Sequence, residues 1–118
     1  MMMSMPDKIM IGIVGANGAG KTTVCEQLKK IGFFYLSLSD IVRGHIQQMN
    51  IPLNREVLVK EANILKEKHG MDYFARYSYE KSVESNFSKI VFDSVRHPVE
   101  IDYLKQRGVI MIGIETPL

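Results

Sequence analysis

The stretch that decides the fold is Lys8-Ile9-Met10-Ile11-Gly12-Ile13-Val14-Gly15-Ala16-Asn17-Gly18-Ala19-Gly20-Lys21-Thr22. Its first half is a continuous apolar run, as expected of a strand buried on both faces of a parallel sheet. Its second half fits the spacing G-x-x-x-x-G-K-[ST] in full. Gly15, Gly18 and Gly20 let the backbone approach a ligand closely. Successive N–H groups can then converge on phosphate oxygens. The loop runs directly into a segment with Val24, Leu28 and Ile31 at helical spacing, with Gly32 as its stop. The positive end of that helix faces the same anion. Lys21 is placed to reach the β- and γ-phosphates. The Thr22 hydroxyl suits Mg²⁺, which keeps most of its waters and takes few protein ligands. Asn17, Ala19 and Thr23 count with the loop as cofactor contacts. Gly12, inside the strand, reads as a point of close helix packing with no chemical role.

Outward from this loop, apolar runs alternate with amphipathic stretches. Phe33-Phe34-Tyr35-Leu36 reads as a second strand, and Ser37-Leu38-Ser39-Asp40 as capping chemistry for the helix after it. Val42, Ile46 and Met49 form that helix's apolar stripe, and Asn50-Ile51-Pro52 ends it. Asn54 is placed to cap a helix carrying Leu58, Ala62 and Leu65, closed by Gly70. Asp72 opens another, with Tyr73, Phe74 and Tyr77 on one side as core and, secondarily, a stacking surface. Lys89-Ile90-Val91-Phe92-Asp93 is a third strand ending in a carboxylate. Pro98 suits the first turn of a helix that stops at Gly108. Val109–Ile114 is a fourth strand. This alternation implies a three-layer α/β fold around a parallel sheet, with ligands at the carboxyl ends of its strands.

Composition is that of an ordinary globular domain. The chain has 118 residues, 46% of them hydrophobic and 24% charged, and 15 Lys+Arg against 13 Asp+Glu leave a net charge of +2. That charge is too small for a protein that coats nucleic-acid polymers. One cysteine, Cys25, excludes a disulfide framework and a Cys-rich zinc site, and reads as core. His45, His69 and His97 lack metal-ligand spacing. No segment approaches the ~20 apolar residues that span a membrane, the start does not read as a signal peptide, and the lone thiol of Cys25 leads to the expectation of a reducing, cytoplasmic location. Residues 1–7, with four methionines, read as a disordered start, and 8–118 as one domain.

Three further positions carry charge to the ligand edge. Asp93 closes an apolar strand, where an ionised carboxylate needs a metal or a cation as partner. Arg43 leaves the buried stripe in the first turns of its helix, and Arg96 follows Asp93 by three residues. Guanidinium groups at such an edge suit bidentate phosphate binding.

The chain resembles the P-loop nucleoside monophosphate kinase superfamily. Gly15 to Thr22 looks like its phosphate loop, and Ser37-Leu38-Ser39-Asp40-Ile41-Val42-Arg43 like its acceptor-nucleotide segment. Asp93-Ser94-Val95-Arg96-His97-Pro98-Val99-Glu100 is similar to the Asp-[Gly/Ser]-[Ile/Val]-Arg-Asn-Pro-x-Glu segment of adenylate-kinase-related and dephospho-coenzyme-A-kinase-like proteins. Ala62-Asn63-Ile64-Leu65-Lys66-Glu67-Lys68-His69-Gly70 resembles Asn-x-Leu-[Arg/Lys]-Glu-x-x-Gly of the same group, whose kinase-like domain also forms the N-terminal part of dCMP/dCTP deaminases. The resemblance implies ATP and Mg²⁺ as cofactors, with Thr22 and Asp93 at the metal. It implies Lys21, Asp93 and Arg96 as catalytic residues, and Ser39, Asp40, Arg43 and Arg96 as acceptor contacts. The family continues past the fourth strand with an arginine-bearing lid and a fifth strand, so four strands read as a core truncated before them. The expected function is phosphoryl transfer from ATP to a nucleoside monophosphate or similar acceptor. The competing expectation is a non-catalytic nucleotide-binding regulatory domain, such as the N-terminal part of a deaminase. Nucleotides are the expected partners, and self-association is left open.

Overall fold

A computed structural model describes residues 8–15 and 19–114. Residues 1–7, Ala16, Asn17, Gly18 and residues 115–118 lie outside the described set, and with them the centre of the phosphate loop and the start read as disordered. In chain order the elements are β1 (Ile9–Gly15), α1 (Ala19–Lys30), β2 (Phe34–Ser37), α2 (Ser39–Gln48), α3 (Arg55–His69), α4 (Tyr73–Glu84), β3 (Lys89–Val95), α5 (Pro98–Gln106) and β4 (Ile110–Ile114). The four strands form one sheet in the order β2-β3-β1-β4, and every pairing is parallel.

Strand alternation divides the side chains between two layers. On one face, Ile13 and Val91 pack with Cys25, Val24 and Leu28 of α1. On the other, Ile90 and Phe92 pack with Val42 and Ile46 of α2, Leu65 of α3, Phe74 of α4 and Leu104 of α5. Helices cover both faces, which is the three-layer α/β arrangement of a P-loop-like fold. Because α1 leaves β1 on one face and α5 leaves β3 on the other, a crevice opens outside the carboxyl ends of these neighbouring strands.

Several helix ends form as local chemistry dictates. Asn54 Oδ1 accepts the Val57 N–H at 2.9 Å and starts α3. Pro98 opens α5. Gly32, Gly70 and Gly108 all take positive φ just after a helix. Other expectations are corrected. Ile31 falls in the turn after α1 and is 60% exposed, and Met49 lies past the last turn of α2 at 44%. Both therefore drop out of the apolar stripes. The start of α2 has no side-chain cap, since its cap position is Leu38 in helical conformation, buried against the core. Asp72 stands at the cap position of α4 without a cap bond, because its carboxylate pairs with Arg76 instead. The nearest neighbours on the side-chain side of Gly12, among the described residues, come from β4 and the residue before it, not from a helix. A Cβ there would meet the Met111 side chain of β4 at 2.5 Å, so glycine lets that thioether cross the strand.

Candidate functional site

Lys21 sits in the first turn of α1, and its Nζ lies 3.2 Å from Oδ1 of Asp93 near the end of β3. Both residues are 7% exposed. The adjacency of β1 and β3 creates the pair, because it brings the head of α1 over the end of the neighbouring strand. Tyr35 of β2 adds a third group, its hydroxyl donating to Asp93 Oδ2. The Ser94 N–H donates to Oδ1 at 2.7 Å. Burial by itself raises the Asp93 carboxyl. The bonds from Tyr35 and the Ser94 N–H, with the Lys21 ammonium, outweigh it and hold the group below the usual carboxylate range. Burial, then donation to Asp93, pushes the Tyr35 phenol well above its ordinary value. Cys25 is core, as expected, but it also faces this carboxylate. Burial first and Asp93 second raise its thiol, so it stays protonated.

Ser94 connects this pair to the opposite face of the sheet. It takes φ of +64°, a left-handed conformation unusual for a residue with a side chain. Its hydroxyl meets the Ser37 hydroxyl at 3.1 Å and the Ser39 hydroxyl at 3.4 Å, while Ser37 and Ser39 share a 2.9 Å bond. The serines expected to cap α2 instead bond to one another. Arg43 extends the chain, Nη1 donating to Ser39 Oγ at 2.9 Å and approaching Asp40 Oδ1 at 3.3 Å. The Leu38 N–H donates to the Asp93 carbonyl at 3.0 Å, which ties the start of α2 to the end of β3.

Beyond the serines opens a cavity of about 360 Å³, bordered by α2, α3 and the turn from β3 into α5. Arg43, Arg55, Lys66 and Arg96 line it, together with Ser39 and Ser94. Glu100 is the one carboxylate among its described lining residues, and it is 2% exposed. Glu100 is committed to the backbone, its Oε1 accepting the N–H groups of Arg96 at 3.0 Å and His97 at 3.1 Å. Cations therefore dominate a concave surface beside the strand ends, a setting that favours anions.

Most of the expected residues converge. Gly15 ends β1, Ala19 and Gly20 open α1, and Thr22 and Thr23 are exposed in its first turns. Lys21 and Asp93 touch, and Ser39, Arg43 and Arg96 share the cavity. Asp40 is set apart. It bonds Arg43 yet lines a different groove of about 400 Å³ on the other flank of α2, where Tyr73 and Tyr77 also stand. Asn17 and Gly18 lie outside the described residues. Sequence reasoning missed Tyr35, which alternation places on the α1 face, opposite Phe34 and Leu36. It also missed Arg55 and Lys66 as cavity residues.

The fold and site define an α/β domain with a parallel sheet, a Gly-Lys-Thr sequence in the first turn of α1, and a buried Lys–Asp pair at the ends of two neighbouring elements. No protein-family model matches the chain. It is similar to archaeal proteins named UPF0200. It is 31% identical over 114 residues to the UPF0200/UPF0201 protein of Archaeoglobus fulgidus, an alignment covering 92% of this chain and 35% of that protein. It is 31% identical over 101 residues to the UPF0200 protein of Methanococcus vannielii, covering 82% and 54%. It is 33% identical over 97 residues to a UPF0200 protein of Thermoplasma volcanium, covering 82% and 53%. The chain spans about a third to just over half the length of these relatives.

Proposed function

We propose that the chain is a Mg-ATP-binding domain of nucleotide-kinase type, which moves the γ-phosphoryl group of ATP to a nucleoside monophosphate or similar acceptor. The observation that carries the reading is the buried Lys21–Asp93 pair at the head of α1, joined by serine hydroxyls to a cation-lined cavity. The donor chemistry fits the cofactors. Thr22 and Asp93 offer the hard oxygens that Mg²⁺ prefers, and α1 carries no acidic residue in its first turn to repel phosphate. Bound Mg²⁺ supplies charge neutralisation on the phosphates.

The chain's own residues supply positioning and electrostatics. Lys21 carries a fixed positive charge to the phosphate loop, and Asp93 keeps that ammonium oriented until phosphate competes for it. Tyr35 holds the Asp93 carboxylate in place and ionised. Arg43 and Arg96 bind the acceptor's anionic group. Ser39 steadies Arg43, and Ser94 links the two halves. We place this activity in the cytoplasm; among the described residues no helix is long and apolar enough to cross a membrane.

Two measurements test the reading. Lys21→Ala is expected to abolish binding of a fluorescent ATP analogue, and unchanged binding would overturn the proposal. Incubation with Mg-ATP and a panel of nucleoside monophosphates is expected to yield ADP with a preferred acceptor. Nucleotide binding without ADP formation would instead assign the regulatory role.

A further inference from the structure

Among the cations lining the 360 Å³ cavity, Arg43, Arg55 and Arg96 are exposed, whereas Lys66 is only 9% exposed. The cause is helical periodicity. Lys66 lies one turn beyond Ala62 and two beyond Leu58, on the face of α3 that packs against the core. A lysine on such a face normally extends its ammonium to water. Here the chain end stays inside, with the Phe74 ring centroid 5.6 Å from Nζ.

Among the described residues the Lys66 ammonium makes no hydrogen bond and no ion pair, and no fully enclosed nitrogen lacks a partner. The ammonium therefore opens onto the cavity it lines. Glu100 faces it from α5 beyond ion-pairing distance, already holding two backbone N–H groups. Arg96 adds a second positive charge nearby. Burial is the main cause that lowers the Lys66 pKa; Glu100 opposes the shift and Arg96 adds to it. Two like charges at a partly dry wall are at their most stable when an anion sits between them.

We propose that Lys66 is an acceptor-binding residue, whose ammonium and the Arg96 guanidinium hold one phosphate dianion of a phosphomonoester. The inference rests on the reading of this cavity as the acceptor site. It narrows the acceptor to a phosphomonoester, since a neutral nucleoside would leave the cavity's positive charge unbalanced. The apolar wall of Val42, Leu58 and Ala62 is left for the body of the ligand.

The test is calorimetric titration of the full chain with inorganic phosphate and with nucleoside 5′-monophosphates, alongside binding of the fluorescent ATP analogue. Lys66→Met is expected to weaken phosphate and monophosphate binding by roughly ten- to a hundredfold, the scale of one charge-assisted hydrogen bond. Lys66→Arg is expected to recover most of that loss, which a purely structural role would not produce. Binding of the ATP analogue should be unchanged in both variants. If Lys66→Met is unfolded by circular dichroism, Lys66→Gln takes its place with the same expectation. Wild-type affinity in the neutral variant would overturn the proposal, as would a wild-type chain that binds the ATP analogue but no phosphomonoester. Either result leaves the ATP reading standing, whereas that reading fails on the Lys21→Ala arm alone.

Discussion

Lys21 Nζ lies 3.2 Å from Asp93 Oδ1, and the two side chains are 9% and 10% exposed. A carboxylate and an ammonium this deeply buried persist only when their mutual attraction and further hydrogen bonds make up for the water they lose. Asp93 also receives the Tyr35 hydroxyl and the Ser94 N–H. Asp93→Ala should destabilise the fold by about 3 kcal/mol, because it removes the one carboxylate to which Lys21, Tyr35 and the Ser94 N–H all donate. Lys21→Met should cost about 1–2 kcal/mol, because the carboxylate keeps its other donors. Urea unfolding measures both, and the reverse order would contradict this account.

The same carboxylate makes stability depend on acidity. The Asp93 pKa lies below its ordinary 3.8 in the folded chain. Folded protein stays ionised there at a pH where unfolded protein already binds a proton. The stabilisation is complete above 3.8 and is lost as pH falls toward the folded value. Asp93→Asn should remove this part of the acid dependence. Tyr35→Phe removes a hydrogen bond to the ionised form, so it should move the loss to higher pH. Unfolding free energies measured for the three proteins from about pH 5 downward check both shifts.

Glu100 is expected to matter for folding out of proportion to its place on a short helix. It is 2% exposed and accepts the N–H groups of Arg96 and His97. Glu100→Ala leaves both donors without that acceptor and removes the carboxylate facing Lys66, at a cost of about 2–3 kcal/mol. Glu100→Gln keeps one acceptor oxygen and should cost about half as much. Thermal unfolding of both variants would show the ranking.

Arg43 and Arg96 should act on the acceptor and leave the donor alone. Each replacement by Ala is expected to lower kcat/KM for the preferred monophosphate by roughly tenfold or more. Affinity for the fluorescent ATP analogue should hold. Initial-rate assays with varied acceptor at saturating Mg-ATP make the comparison, and equal loss of ATP affinity would contradict the assignment.

Local chemistry was readable from the residue order. The apolar run before Gly15, the Asn54 cap, the Pro98 start and the helix-ending glycines each depend on neighbours a few positions away, so they appear in the sequence as patterns. The order of elements then implied a parallel sheet between two helical layers, and the structure has one parallel sheet with helices on both faces. Local pattern failed at the helix margins. Ile31 and Met49 keep the spacing of their stripes but lie past the last turn.

What tertiary structure alone decided is which distant residues meet. Tyr35 and Asp93 are 58 positions apart, and Ser37 and Ser94 are 57. They touch because β2 pairs with β3, in a register that sets Ser37 beside Asp93. No helical or strand period encodes that register. Ser37 and Ser39 looked like caps for the same reason, since a hydroxyl's partner is chosen by what the sheet brings near it. Lys66 shows the contrast most clearly. The sequence by itself determined that it would ride the apolar face of α3, but only the packing of α3 against α4 and the turn before α5 decided that its charge would open into a cavity of cations.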